Sequence, residues 1–241
     1  MKISVIVPAF NEEKLIGASL AAIRQAMTVF AERGWDSELI VCDNNSTDRT
    51  AELAREAGAI VVFEPINQIA RARNKGAEAA SGDWLVFVDA DSRPSRELLN
   101  DVADAIQTGK FVFGGSTLKM EGAKGMAYLV AGLWNRISRW LKYAAGSFIF
   151  CEAAAFRRIG GFSKDLFVSE ELDLSKRLKK LARELGRGAI ILHRHPLITS
   201  GRKLHLYSTG EHLRFISRAL FGWKRTLGNR EECHIWYDGR R

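Results

Sequence analysis

The chain has 241 residues, with 36 Lys and Arg against 28 Asp and Glu, a net charge of +8, and 46% of its residues are hydrophobic. This composition predicts a soluble globular protein with a full core, and its apolar content excludes a disordered chain. No stretch approaches the roughly 18 apolar residues that a membrane-spanning helix needs.

The first half of the chain is predicted to alternate short strands with helices. Strands are indicated where apolar residues run together, and helices where apolar residues recur at helical spacing. The predicted strands are residues 2–7, 39–42, 59–63 and 84–88, and the predicted helices are residues 12–30, 48–57, 70–80 and 96–107. Because these strands do not alternate with polar residues, we expect an α/β fold with a mostly parallel central sheet flanked by helices.

The second half is predicted to be more helical and is strongly basic. Amphipathic helices are predicted at residues 126–142, 170–185 and 211–227, and short strands at residues 190–206. Residues 121–241 hold 23 Lys and Arg and 11 Asp and Glu, a net of +12, whereas residues 1–120 hold 13 and 17, a net of −4. This contrast predicts different partners for the two halves, although no linker separates them and we expect one continuous body.

Polar segments follow three of the predicted strands at the point where each strand ends. Ligands of parallel sheets bind beyond the carboxyl ends of the strands, so these segments are expected to converge on one site. Taken singly, each segment also has an ordinary explanation as a turn or a helix cap. The segments are residues 8–12 (PAFNE), 43–48 (DNNSTD) and 89–91 (DAD).

The third of these segments carries the sharpest chemical signal. Asp89 and Asp91 are one residue apart directly after an apolar strand, which allows both carboxylates to turn towards one pocket. Carboxylate oxygens are the ligands that Mg²⁺ and Mn²⁺ prefer. Such an ion neutralises the charge that builds on a departing diphosphate, so we predict a site for Mg²⁺ or Mn²⁺.

Seven segments, taken in order, resemble the family 2 glycosyltransferases of the GT-A fold. The resemblance implies inverting transfer of a sugar from a nucleotide-diphosphate donor, most often a UDP-sugar, to an acceptor hydroxyl. It implies a nucleotide-sugar-binding half at residues 1–120 and an acceptor-binding half at residues 121–241. The segments are VIVPAFNEE (5–13), CDNNSTDRT (42–50), ARNKG (72–76), ASGD (80–83), FVDAD (87–91), GGF (160–162) and EELDL (170–174).

The resemblance also implies roles for individual residues. Asp91 matches the principal metal ligand, with Asp89 beside it. Asp43 matches the acid that accepts hydrogen bonds from the base. Arg73, with Arg71 as a second candidate, lines the nucleotide side, although both also fit a solvated helix face. The remaining residues implied for nucleotide-sugar binding are Pro8, Ala9, Phe10, Glu12, Ala90 and Arg202.

An inverting transfer needs a base that removes the proton of the acceptor hydroxyl. The resemblance implies that this base is Glu171, which ends a Glu-Glu pair where the family has Glu-Asp. Glu171 is one methylene longer than the usual residue, and Glu170 or Asp173 are alternatives. Acidic residues also favour any helix N-terminus, which is the structural explanation of the same pattern.

The excess of positive charge has two interpretations. No nucleic-acid-binding motif is present, and the aromatic residues of the basic helices are expected to pack onto the sheet. Peripheral contact with an anionic membrane, with an anionic or lipid-linked acceptor, is the alternative. His193, His195 and His205 lie where relatives place a late histidine, but single histidines are more often structural.

The location and the rival functions also follow from sequence features. Three widely spaced cysteines and an N-terminus without a signal peptide favour the cytoplasm, with the inner face of the membrane as an extension. A Rossmann dehydrogenase is excluded because GxGxxG is missing after the first strand. A non-catalytic nucleotide-sugar-binding protein of the same family is the remaining alternative.

Overall fold

The computed structural model describes residues 1–122, 125–144 and 147–201. Within them the strands are β1 (Lys2–Ala9), β2 (Asp36–Asp43), β3 (Ile60–Phe63), β4 (Trp84–Val88), β5 (Ser92–Arg93), β6 (Phe111–Met120), β7 (Phe148–Glu152) and β8 (Gly188–Thr199). The helices are α1 (Ile16–Glu32), α2 (Thr50–Glu56), α3 (Ile69–Ala79), α4 (Arg96–Gln107), α5 (Met126–Leu141), α6 (Ala153–Arg158) and α7 (Glu170–Glu184).

The strands join in one mixed sheet with the order β3-β2-β1-β4-β7-β6-β8-β5. The first four are parallel, as their apolar composition predicts, and β7 enters antiparallel between β4 and β6. β8 lies parallel to β6, and β5 antiparallel to β8. The α/β prediction is therefore confirmed, with antiparallel neighbours confined to the later strands. The sheet is continuous across residue 120.

Two apolar cores cover the two faces of the sheet. Alternate strand residues point to opposite sides, so that Ile3, Val5 and Val7 join the core beneath α1 and α4. Ile6 joins the core beneath α3, α6 and α7. Because both faces are covered, the central strands β1 and β4 are mostly apolar. α3 and α7 lie on the same side of the sheet.

Most predicted elements of the first half agree with the structure to within a few residues. β4 and α4 have the predicted bounds, since a buried apolar run and a helix with Ser95 as its N-cap are strong local signals. The strands predicted at residues 190–206 are one long strand, β8, over its described part. Residues 202–241, including the predicted helix 211–227, lie outside the described residues.

Three strands, β5, β6 and β7, were not predicted. β6 contains Gly114 and Gly115, a pair that usually indicates a turn. In the sheet a Cβ on Gly114 would lie 2.4 Å from Cζ of Phe150, and one on Gly115 would lie 2.8 Å from Cβ of Ala144. These glycines are therefore required by close tertiary packing, which cannot be recognised from the local sequence.

None of the helices in the described ranges is long and apolar enough to cross a lipid bilayer.

Candidate active site

The ends of β1 and β2 lie side by side and their following loops interlock. Ala9 is opposite Asp43 in the parallel register, and the backbone N–H of Asn44 donates to the carbonyl of Ala9 at 2.8 Å. Asn11 has a positive φ of 51°. Its side-chain oxygen accepts from the N–H of Thr47 at 2.8 Å, and its own N–H donates to Ser46 Oγ at 3.0 Å. The loop bearing Pro8, Phe10 and Glu12 is thereby fixed against the loop after Asp43.

Asn44 extends this arrangement to the loop after β3. Its side-chain nitrogen donates to the carbonyls of Glu64 and Ile66, and its side-chain oxygen accepts from the N–H of Gln68 at 2.9 Å. Asn44 and Gln68 are both buried. A buried polar group is costly unless it is paired, so these bonds specify one conformation of the edge next to Asp43.

Asp89 and Asp91 leave the end of β4 at the same edge of the sheet. The N–H of Asp89 donates to the carbonyl of Ser147 at 3.1 Å, and its carbonyl accepts from the N–H of Ser92 at 3.0 Å. The carbonyl of Asp91 accepts from the N–H of Ser200 at 3.2 Å. Both side chains are partly exposed, whereas Ala90 between them is buried. The structure therefore holds the DAD segment between β4, β5 and the end of β8.

Arg73 on α3 joins this segment to the acidic start of α7. Its Nη2 lies 2.9 Å from Asp89 Oδ1, and its Nη1 lies 2.7 Å from Glu170 Oε1 and 3.6 Å from Glu171 Oε1. The guanidinium also lies over the ring of Phe162, at 5.2 Å from the centroid. With only 1% of its surface exposed, Arg73 is a buried cation among three carboxylates. We call Arg73, Asp89, Glu170 and Glu171 the Arg73 cluster.

The electrostatics of the Arg73 cluster are dominated by burial and by its excess of carboxylates. Burial lowers the pKa of Arg73, but Asp89, Glu171 and Glu170 more than offset it, so the pKa is raised and the guanidinium stays charged. Burial raises the pKa of Glu170 above its usual 4.5, Glu171 adds to the rise, and Arg73 opposes it. The three carboxyl groups of the cluster thus share a single guanidinium.

The three candidate bases differ in accessibility. Glu170 is buried and paired with Arg73, whereas 17% of the Glu171 side chain is exposed. Asp173 forms an i,i+4 ion pair with Arg177, with 2.6 Å between Oδ2 and Nη2. Among the three, Glu171 therefore combines contact with the cluster and access from outside, while Asp173 is committed to its own helix.

Asn74, the neighbour of Arg73, fixes the turn that precedes α7. Its side-chain nitrogen donates to the carbonyl of Phe162, and the N–H of Phe162 donates back to its side-chain oxygen, both at 2.9 Å. Gly161 has a φ of 71°, and a Cβ there would lie 2.6 Å from Asn74 Oδ1. The GGF turn is thus shaped by a buried amide whose partner is 88 residues away in sequence.

We expect Asn74→Ala to lower the free energy of unfolding by about 2 kcal/mol or more, because it leaves two backbone groups of Phe162 unpaired. Urea denaturation measures this difference. Lys75→Ala is the matched control: Lys75 is the next residue of α3 and makes a surface ion pair with Glu78, so its loss is expected to cost under about 1 kcal/mol. Equal losses for both variants would contradict the role of Asn74.

Other predicted site residues are placed less centrally. Arg71 Nε donates to Gln68 Oε1 at 3.1 Å, which holds Arg71 at the start of α3. His195 Nδ1 lies 2.9 Å from Asp101 Oδ2 on α4, and His193 is exposed near α5. Arg202 and His205 lie outside the described residues. The roles of Arg71 and Arg73 towards a nucleotide stay predictions.

Asp89 and Asp91 form a donor set that fits a hard divalent cation. In the described ranges no group of three or more His, Cys, Asp or Glu side chains is arranged to hold a metal alone. Two carboxylates at a strand end suit an ion that takes its remaining oxygen ligands from a bound phosphate and water, as Mg²⁺ and Mn²⁺ do. Asp91 would hold the ion, with Asp89 beside it.

The sequence is similar to known proteins over much of its length. The family model of Glycosyl transferase family 2 matches residues 4–159. A dolichol-phosphate mannosyltransferase of Pyrococcus furiosus is 32% identical over 124 residues, which cover 48% of this chain and 33% of the relative. The chain thus spans about a third of the length of that relative.

Two solved structures share the fold. Residues 1–349 of S. aureus TarS in complex with UDP-GlcNAc have a TM-score of 0.66 at 22% identity, over 98% of this chain and 69% of that TarS fragment. A Pyrobaculum calidifontis mannosyltransferase in complex with GDP-Man and Mn²⁺ has a TM-score of 0.66 at 23% identity, over 90% and 60%. At these identities the likeness shows the fold, here the GT-A arrangement of sheet and helices.

Proposed function

Because the chain belongs to glycosyl transferase family 2, we propose that it is an inverting, metal-dependent glycosyltransferase that uses a nucleotide-diphosphate sugar. The observation that carries this proposal is the Arg73 cluster. One guanidinium joins the metal-binding segment to the acidic pair that begins α7. The proposed metal ligand Asp89 and the proposed base Glu171 thus contact the same buried cation.

The donor is proposed to lie along the edge formed by the ends of β1, β2 and β4. The N–H of Ser46 donates to Asp43 Oδ1 at 3.1 Å and so orients the carboxylate of Asp43. This carboxylate would accept a hydrogen bond from the nucleotide base. Pro8, Ala9, Phe10 and Glu12 would border the base and ribose, with Ala90 near the ribose, and Arg71 and Arg202 would serve the diphosphate. TarS with UDP-GlcNAc and the mannosyltransferase with GDP-Man support a donor of this class, and a UDP-sugar is our first choice.

Glu171 is proposed as the base that accepts the proton of the acceptor hydroxyl. The sugar is attacked from the side opposite the diphosphate, so the base and the metal ligands must face each other across the anomeric carbon. The contacts of Arg73 with both Asp89 and Glu171 support this arrangement. A bound Mg²⁺ or Mn²⁺ would supply charge neutralisation for the departing diphosphate.

The experiment that tests this proposal is a thermal-shift screen of UDP, GDP and their sugars with and without Mn²⁺. Ligand at about 100 times its dissociation constant stabilises a protein by about 2.7 kcal/mol. For a chain of this size that is a rise in Tm of roughly 5–10 °C. We expect such a rise for one nucleotide class and only with the metal; no metal-dependent rise with any of them would overturn the proposal.

Asp91→Ala is expected to remove the metal-dependent part of the rise in Tm. The change deletes the carboxylate that would hold the ion and leaves the base-binding edge intact. Asp36→Ala, an exposed aspartate at the opposite end of β2, is the matched control and should keep the full rise. A metal-dependent rise that survives Asp91→Ala would refute the role of Asp91.

The exposure of Glu171 bears on the non-catalytic alternative, and the state of the cysteines bears on the location. A binding protein has no need of an accessible base, and the partly exposed Glu171 beside Arg73 favours an enzyme. Cys42 and Cys151 are free and buried, which supports work in a reducing cytoplasm.

A further inference from the structure

Helix α5 exposes an apolar stripe that neither core of the protein uses. Leu129, Leu133 and Trp140 are 63%, 59% and 83% exposed. At 100° per residue these three positions lie within about 40° of each other around the helix. Single exposed apolar side chains are common, but two leucines and a tryptophan on one strip of one helix mark an interaction surface. We call Leu129, Leu133 and Trp140 the α5 stripe.

The orientation of α5 is fixed from its other side. The side chain of Asn135 donates to the carbonyl of Leu118 at 2.9 Å and accepts from the N–H of Leu118 at 3.0 Å. Ser138 Oγ donates to the carbonyl of Tyr143 at 2.7 Å. The two bonds of Asn135 attach α5 to β6, and the bond of Ser138 fixes the turn that follows α5. The α5 stripe therefore faces outward as part of a defined surface.

Exposed cations border the α5 stripe. Arg136 and Arg139 are both exposed, and Arg136 lies on the helix between the stripe and the flank that faces β6. Within the described ranges neither arginine forms an ion pair with a carboxylate. Apolar and cationic side chains therefore share one outward face.

A cavity of about 760 Å³ lies between α5, β6 and β8, next to these cations. Arg136, Arg139 and Lys119 line it, together with one acidic residue, Glu121, which is paired with Arg93. Its lining is thus cationic on balance. Ile198 also lines the cavity, and Ile198 is opposite Arg93, two residues after Asp91. The cavity is therefore close in the fold to the proposed metal-binding segment.

We propose that α5 docks on an anionic lipid bilayer, with the α5 stripe in the interface and a lipid headgroup phosphate against Arg136 and Arg139. A tryptophan and leucines beside arginines are the composition of helices that lie in an anionic interface. The positive charge of α5 favours an anionic bilayer as its partner over residues 202–241 of the same chain. Residues 202–241 hold nine Lys and Arg against four Asp and Glu, so they share the sign of α5.

Docking through α5 would set the proposed active site against the membrane surface. The cavity and the metal-binding segment are joined through the pairing of β5 with β8, so a lipid held at the cavity is near the edge where the donor is proposed to bind. The docking inference does not depend on glycosyl transfer. Vesicle binding by the inactive Glu171→Gln variant is expected to equal that of the wild type, which keeps the two proposals separable.

The test is flotation of the full chain with vesicles of phosphatidylcholine, with or without phosphatidylglycerol. We expect binding only with phosphatidylglycerol, and weaker binding as salt rises. Each cation near an anionic surface contributes about 1 kcal/mol, which corresponds to about fivefold in affinity. Arg136→Gln with Arg139→Gln should therefore weaken binding more than tenfold, whereas Lys180→Gln, which removes an exposed cation from α7, should change it little.

Leu129→Ser with Trp140→Ser should also abolish flotation, and Ile60→Ser, an exposed apolar residue on β3, is its control. No binding to either vesicle, or unchanged binding of the α5 variants, would overturn the proposal. Hydroxyl-radical footprinting gives a second measurement that needs no variant. The α5 stripe should react in solution and become protected by phosphatidylglycerol vesicles. Protection already present without vesicles would mean that residues 202–241 or a second copy cover the stripe, and would also overturn it.

Discussion

Replacement of Glu171 by Gln is expected to lower the rate of sugar transfer by about 10²–10⁴-fold while leaving donor binding unchanged. Glutamine has nearly the same shape and keeps a contact with Arg73, but it cannot take a proton from the acceptor at neutral pH. The metal-dependent rise in Tm with the nucleotide should therefore remain. Slow hydrolysis of the donor, in which water replaces the acceptor, provides an assay that needs no identified acceptor.

Two neighbouring residues serve as controls for this prediction. Asp173→Asn alters a carboxylate that is already paired with Arg177 and should leave the rate within a few-fold of the wild type. Glu170→Gln changes a buried side chain that positions Arg73, so a moderate loss of activity is expected. A fully active Glu171→Gln protein, or an inactive Asp173→Asn protein with intact stability, would assign the base to another residue.

Arg73→Met is expected to lower the free energy of unfolding by about 3–5 kcal/mol, because it leaves buried carboxylates without their cation. Activity should fall as well, since Asp89 and the acidic pair lose their common partner. Arg73→Lys keeps the charge but cannot contact Asp89 and Glu170 through two nitrogens of one planar group, so it should recover part of the stability and little of the activity. Urea denaturation measures the first effect and donor hydrolysis the second.

The loss of stability in Arg73→Met should grow as pH rises above about 8. The pKa of Glu170 is already raised above 4.5 in the folded protein, so its contribution to stability falls as pH rises above that value. Up to about pH 8 the wild type and the variant lose stability in parallel, because Glu170 keeps its proton in both folded states. Above that pH the wild type can ionise Glu170 beside Arg73, whereas the folded-state pKa of the variant is higher without Arg73 and its loss continues. Glu170→Gln in the Arg73→Met background should remove this pH dependence. A loss that is the same at about pH 7 and about pH 9.5 would contradict the role given to the ion pair with Glu170.

The sequence predicted those parts of the fold whose signals are local. β4 was predicted with its bounds because Trp84–Val88 is an uninterrupted apolar run, and α4 because its apolar stripe begins just after a serine cap. β6 was not predicted, because the pair Gly114 and Gly115 usually indicates a turn. In the structure these glycines lie in a strand because Phe150 and Ala144 pack closely against them. Whether such a segment forms a strand depends on packing between distant parts of the chain, and the local sequence carries no information about that packing.

The candidate site was predicted unequally for the same reason. The segment at Asp89 and Asp91 was found because a strand end and a two-residue spacing are local features. Arg73 was assigned from its segment to the nucleotide side, whereas the structure surrounds it with carboxylates, one of them 97 residues away. Asn74 and Gln68 were not singled out, because an amide on a helix gains a positioning role only when a distant backbone accepts its hydrogen bonds.

Helix α3 and the residue before it make several polar contacts with the segment that leads into α7. Gln68 donates to the carbonyls of Lys164 and Leu166, Asn74 donates to the carbonyl of Phe162, and Arg73 pairs with Glu170. All of these contacts reach residues 162–170. Residues 162–170 therefore fix the start of α7, and with it the proposed base Glu171, relative to α3. A chimaera of family members that keeps these nine residues together with α3 should preserve the placement of Glu171.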